Sequence, residues 1–462
     1  MLGRLPTALL TALSTVLVSA LGAAPPTGPP PGSQAPGSQA PGDLDWTANL
    51  NQGHAVDVAY ANGALRLTGP TGLLTLPAHP LPRSVGRLST QLDASTPPGG
   101  TVEVDVRGRL PGGRWTEWLP STPGAPTELP GPSNQVQLRV LLTADPATGP
   151  NRPEVRALRV HTEEVPRMQV AAPADPVDYR VFATREGLVH GRTANGHRIK
   201  PHDLFVALPS WRSLADEDGS EYSVKVCAAG GRCVWAPVWD VGPWNTKDDY
   251  WSAHRQEWPD LPQGVPEAQA AYRDGHNDGK DGEGRTVGNP AGIDLSDGVF
   301  DAALKLTDNG EVTVSYLWTG GPPLSTVDAE DQQTDTADPL AAARTPQPDT
   351  TQPDTTQPDT TQPDTTQPAT PATDSDKSDS DDKSDSDHSD HGDGSDDGLS
   401  ADQAVSVRSA PSPDAPPVGL AANNAGVPVQ CAAPNGWLRI GPDEYLPAGA
   451  VELADDTSVG PC

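Results

Sequence analysis

The chain has 462 residues, enough for two to four domains, but 53 prolines, 46 glycines and only 3 phenylalanines exclude one large globule. A formal net charge of −31 argues against nucleic acid as a partner, because neutralising phosphates needs clustered Lys and Arg. The sequence contains no zinc finger, Walker loop or dinucleotide-binding glycine fingerprint, so no cofactor is expected.

At the N-terminus, Arg4 precedes an apolar run from Leu5 to Leu21, and the small residues Ser19, Ala20, Gly22, Ala23 and Ala24 close it. That order reads as a signal peptide over residues 1–23, cut after Ala20 or Ala23, and predicts a secreted protein with no membrane contact after cleavage. Residues 24–43 write GSQAP twice and read as a Pro/Gly tether. Export lets the four cysteines form disulfides. Three pairings exist on paper, and Cys227–Cys233 with Cys431–Cys462 is favoured because each pair falls within one island of folded chain.

Over residues 44–165 the pattern becomes one of short alternating strands. Val102, Val104 and Val106 alternate with Glu103, Asp105 and Arg107; Val136, Leu138 and Val140 alternate with Gln137 and Arg139. Period-two runs separated by Gly/Pro turns predict a β-sandwich. Within it Trp115 and Trp118 are candidates either for stacking on sugar or for ordinary packing.

The island at residues 178–319 carries the most informative motifs. In order they are Thr193-Ala194-Asn195-Gly196, then Phe205–Pro209, a strand pair around Cys227 and Cys233, Trp239-Asp240-Val241-Gly242-Pro243-Trp244, and Gly292-Ile293-Asp294-Leu295-Ser296. Asp240 follows an apolar strand and precedes Gly-Pro, so its carboxyl group belongs at a strand end. Trp239 and Trp244 beside it would limit water, raise its pKa and suit it to general-acid work; the alternative role is capping backbone amides at the turn.

Taken together, the motifs resemble the double-psi β-barrel of rare lipoprotein A-like and expansin-like proteins, over residues 181–318. The resemblance implies a groove for cell-wall glycan. In glycan-cleaving members, one acid protonates the glycosidic oxygen and the sugar's own hydroxyl closes an anhydro ring, so the second carboxylate of ordinary glycosidases is not needed. It also implies that Thr193 and Asn195 bond the sugar or Asp240, and that Asp294 supports the site. Three positions depart from the lytic pattern: His197 stands where those members have Glu, Val206-Ala207-Leu208 offers no His, and Val241 replaces Arg.

Between Trp244 and Gly292 lies an insertion with Tyr250, Trp251 and Trp258, a helical stretch at 266–272 and a polar loop from Asp274 to Asp281. With Trp239 and Trp244, its aromatics are the candidate glycan-stacking residues, against the alternative that they pack the insertion onto the barrel. The loop has Arg285 where a calcium loop needs Glu, and the histidines form no HExxH pair, so no metal is expected.

Residues 320–400 hold PDTTQ repeats and then an Asp/Ser run, and read as a disordered linker. Residues 401–462 place Val405-Ser-Val-Arg-Ser-Ala-Pro-Ser, Gly436-Trp437-Leu-Arg-Ile and Tyr445-Leu-Pro in series, which resembles a bacterial SH3-like domain and implies binding to wall polymers. The expectation is therefore a mainly β, secreted protein that binds and remodels peptidoglycan or polysaccharide, its weak modules cooperating across tethers. The alternative is a lytic transglycosylase-like enzyme using Asp240 as acid and base.

Overall fold

The computed structural model describes residues 44–145, 151–164, 175–329, 399, 402–454 and 458–462. The expected signal peptide and tether, and the PDTTQ and Asp/Ser tracts, lie outside the described residues. The described chain is mainly β, and none of its helices is long and apolar enough to cross a membrane.

In the N-terminal region the long strand Pro126–Ala144 is the hub, pairing with Thr71–Thr75, His79–Ser95 and Gly100–Arg109. The alternating valines and leucines do what their period predicts: Val104, Val106, Val136, Leu138 and Val140 join Leu88 and Leu158 in one apolar cluster. The polar set between them does not face water. Asp105, Arg107, Gln137 and Arg139 are buried as well, because the central region packs over that face.

The central region contains six strands, β1 (Val177–Arg185), β2 (Val206–Leu208), β3 (Ser223–Ala228), β4 (Cys233–Val241), β5 (Ala291–Leu295) and β6 (Gly310–Tyr316). They hydrogen-bond in the order β2-β5-β1-β6-β3-β4, and a β2–β4 pairing closes the ring into a barrel. Pairs β1–β5 and β2–β4 are parallel, the rest antiparallel. Every second residue points inward: Val181 and Ala183, Val224 and Val226, Val234, Ala236 and Val238, Ile293 and Leu295, and Val312 and Val314 are all buried. Cys227 and Cys233 are bonded across the β3–β4 hairpin, and Cys431 is bonded to Cys462, as the sequence led one to expect.

The C-terminal region extends the barrel sheet. Its strand Pro417–Ala422 pairs in parallel with β4, setting Cys233 against Gly419, Val234 against Leu420 and Trp235 against Ala421. A further strand, Ser325–Val327, pairs with both Gly426–Val427 and Val451–Glu452. This corrects the linker reading at its N-terminal end: Ser325 and Val327 are fully buried, so residues 320–329 belong to the folded body. The picture of separate islands on tethers needs the same revision, since all three described regions share contacts.

Candidate active site

The register of the barrel strands brings the acidic residues of two motifs, Asp240 and Asp294, into one row with Thr184. Thr184 of β1 pairs with Asp294 of β5, Asp294 with Ala207 of β2, and Ala207 with Asp240 of β4. Side chains at paired positions share one face of a sheet, and neighbouring strands lie about 4.8 Å apart, so the Asp240 and Asp294 backbones are separated by roughly 10 Å. Between them on the sheet stands the buried Ala207.

A third carboxyl group enters from the end of β1. Glu186 follows Arg185, and its backbone N–H is held by Leu295 O at 2.9 Å. Its side chain neighbours Asp240, with a buried Oε2 that no hydrogen bond reaches. Burial pushes the Glu186 carboxyl far up, and the contact with Asp240 adds to it. Asp240 is also raised by burial, while the neighbouring Glu186 carboxyl and two backbone N–H donors pull the other way. Those donors are Val241 N at 2.8 Å and Ala194 N at 2.9 Å, both on Oδ1. Asp294 accepts the Thr184 hydroxyl and is lifted to about 6, first by burial, with the nearby Asp240 charge adding to the rise. The arrangement gathers three carboxyl groups whose burial favours their protonated forms, Asp294 changing charge at about pH 6.

The expected side chains divide into those that reach this cluster and those that do not. Asp240 and Asp294 are there. Thr193 and Asn195 are not bonded to Asp240: Thr193 Oγ1 donates to Asn195 Oδ1 at 2.6 Å, and Asn195 Nδ2 donates to Asp216 O at 3.0 Å. Both are buried, so their turn serves Asp240 through the Ala194 backbone instead of offering side chains to sugar. His197 bonds Asp203 through Nε2 at 2.7 Å and packs on Trp239, away from Asp240.

The stacking candidates fare unevenly. Trp239, Tyr250 and Trp251 are buried. The indole N–H of Trp239 donates to Gly219 O at 3.1 Å; Tyr250 bonds Tyr316 and the Gly292 carbonyl; Trp251 lies flat against Tyr316. Trp239 packs within the barrel on Phe205 and His197, and Tyr250 and Trp251 hold the insertion to the barrel, which corrects their assignment to glycan. Only Trp244 and Trp258 keep part of their surface. Trp244 donates to Asn289 Oδ1 at 3.0 Å, and Trp258 stands edge-on to His276. In the N-terminal region Trp118 is buried and Trp115 half-buried, both under the Arg107 guanidinium.

The insertion carries carboxylates of its own. Asp248, pushed to about 7 by burial, pairs with Arg255 and accepts the Glu267 N–H at 2.6 Å at the start of the helix Glu267–Asp274. Among the described residues no cluster of His, Cys, Asp and Glu could hold a metal ion. Sequence reading missed Glu186. The signal was present, since an acidic residue directly after an alternating strand and before Gly187 sits at the same barrel end as Asp240.

Residues 177–315 match the model of a domain of unknown function, DUF8814. No curated protein matches the chain.

Proposed function

We propose that this is an exported protein of the cell wall whose barrel acts on glycan by acid-assisted cleavage of the glycosidic bond. The observation that carries the reading is the cluster of Asp240, Asp294 and Glu186 at one end of the barrel, with Asp240 fixed by two backbone N–H groups and Glu186 pushed up by burial. A carboxyl group still protonated near neutral pH is what a glycosidic oxygen needs as its leaving-group acid. In the proposed step the Glu186–Asp240 pair gives its proton to that oxygen and the C1–O bond breaks. A hydroxyl of the same sugar attacks C1, and its proton returns to the carboxylate pair. No water is consumed and the pair ends as it began.

Two parallel pairings within an otherwise antiparallel closed sheet support the double-psi reading of the barrel. The N-terminal region is read as a sandwich and the C-terminal one as SH3-like. The two disulfides suit an oxidising compartment, in keeping with the leader-like N-terminus. A second reading, glycan binding without turnover, is favoured by one observation: Asp240 Oδ1 already accepts two backbone N–H groups, as a turn-capping carboxylate would.

Incubating the purified protein with peptidoglycan and analysing soluble products separates the two. Anhydro-sugar ends are expected from the native protein and are expected to fall at least a hundredfold in Asp240→Asn and Glu186→Gln, about the usual worth of a general acid. Retention of all forms on insoluble wall with no released fragments would leave only the binding reading.

A further inference from the structure

We infer that an open cavity beside the barrel is a second ligand site, one that takes a small zwitterion: a free amino acid or a short peptide with both ends unblocked. It goes beyond the glycan reading and does not depend on it, because Asp240, Asp294 and Glu186 do not line this cavity.

The cavity measures about 460 Å³ and lies between the end of β1, the turn at 201–202 and a π-helical turn, Gly298–Ala303. That volume falls among ordinary small-ligand sites, about 300–1,000 Å³, and exceeds what a single small ion fills. Its walls are fixed against each other. A Cβ at Gly298 would lie 2.3 Å from the His202 carbonyl oxygen and 2.5 Å from that of Asp203, and Ser296 Oγ donates to the same Asp203 carbonyl at 2.6 Å. π-Helical turns are rare and often mark functional sites.

Charge along the lining does not balance locally. At the β1 end one guanidinium serves two carboxylates: Arg185 pairs with Asp297 at 2.7 Å and with Asp301 at 2.8 Å, which leaves one negative charge in excess. Lys305 also lines the cavity, and among the described residues no ion pair or hydrogen bond reaches its ammonium or the His202 ring. Lys305 lies four residues after Asp301, the spacing at which a helix pairs opposite charges. Its φ of +56° takes the chain out of the helical path, and the two stay unpaired. His202 is held at φ of +68°, another left-handed value uncommon for such a residue and often met at binding sites. The lining thus offers one uncompensated negative centre and one uncompensated positive centre, held apart. A ligand answers both only with an ammonium group for Asp297 and Asp301 and a carboxylate for Lys305, the His202 ring adding a hydrogen bond. Amino acids and short peptides carry that pair of groups, whereas a neutral sugar answers neither charge.

The test is calorimetric titration of the full-length protein at low salt with trialanine, N-acetyl-trialanine and trialanine amide. Trialanine is expected to bind, and blocking either end is expected to weaken binding about tenfold, the worth of one hydrogen-bonded charge. Lys305→Asn removes the ammonium while supplying a residue that accepts positive φ readily. In that variant the free and amidated peptides should bind alike, while N-acetylation still weakens binding. Equal binding of all three peptides by the native protein would overturn the inference, as would no binding of any of them at about 10 mM. A penalty from one block alone would mark a site of single charge and overturn the zwitterion assignment. An undiminished amide penalty in natively folded Lys305→Asn would place the peptide elsewhere and overturn it as well.

Discussion

The barrel is gripped on two sides by opposite means. Its contact with the N-terminal region is made of side chains, and charged ones. Arg107, 1% exposed, spans to Asp216 at 2.8 Å and Glu221 at 2.7 Å. Arg139 pairs with Asp105 and donates to Trp211 O at 2.6 Å, while Trp118 lies between the two guanidinium groups at 4.3 and 4.5 Å. On the other side the C-terminal region adds a strand to β4, where Gly419 meets the Cys233 carbonyl and the Trp235 ring, and Lys225 pairs with Glu444. The first contact depends on the identity of a few residues. The second depends on strand pairing and on the absence of a side chain at Gly419.

Removing Arg107 should be the most costly break. Arg107→Ala leaves Asp216 and Glu221 without their buried partner, and the expected loss is about 3–5 kcal/mol in chemical denaturation. A loss below about 1 kcal/mol, the worth of an exposed pair, would show that this contact is not as closed as described. The barrel end between the two contacts gives a pH-dependent effect of intermediate size. The folded carboxyl of Asp294 sits at about 6 against an ordinary 3.8, so the folded state keeps a proton that the unfolded chain has released. Its contribution is fully present below about pH 4 and is lost as pH rises through 6. A span of about two pH units corresponds to about 3 kcal/mol. Asp294→Asn should flatten the stability–pH curve in that window, and an unchanged slope would assign the titration elsewhere. On the C-terminal side, Gly419→Val should cost about 1–3 kcal/mol by overpacking. A Cβ at Gly419 would lie 2.6 Å from the Cys233 carbonyl and 2.8 Å from the Trp235 ring. Equal tolerance of Gly419→Ala and Gly419→Val would contradict a tight seam.

What the sequence disclosed follows from the same contrast. Period-two strands in the N-terminal and barrel regions were legible because alternation is a local property. Both disulfides were legible because each closes within one island. What covers the polar faces carrying Arg107 and Arg139 was not legible, since alternation says which residues share a face and not what packs on it. For Tyr250 and Trp251 stacking on sugar and packing onto the barrel stayed open for a related reason: the sequence does not show the insertion folding onto Tyr316. Asp240 and Asp294 could be chosen from motif order, but their alignment on either side of Ala207 depends on strand register, which no motif states. Glu186 was overlooked because it acquires a role only when β1 is placed beside β5, and its chemistry only against Asp240.

Asn423 gives the segment between residues 329 and 399 a different standing. The Ala329 N–H donates to Asn423 Oδ1 at 2.9 Å, and the Asn423 N–H donates to Gln403 O at 2.8 Å. Leu399 is buried in the apolar cluster that also holds Ala329. The chain thus leaves the folded body and rejoins it around one asparagine. What lies between is an insert in a finished body, not a bridge joining two. Such a site is an insertion port, where sequence can be exchanged or lengthened without altering any barrel contact described above, and where a grafted domain would be carried by a carrier fixed on both sides.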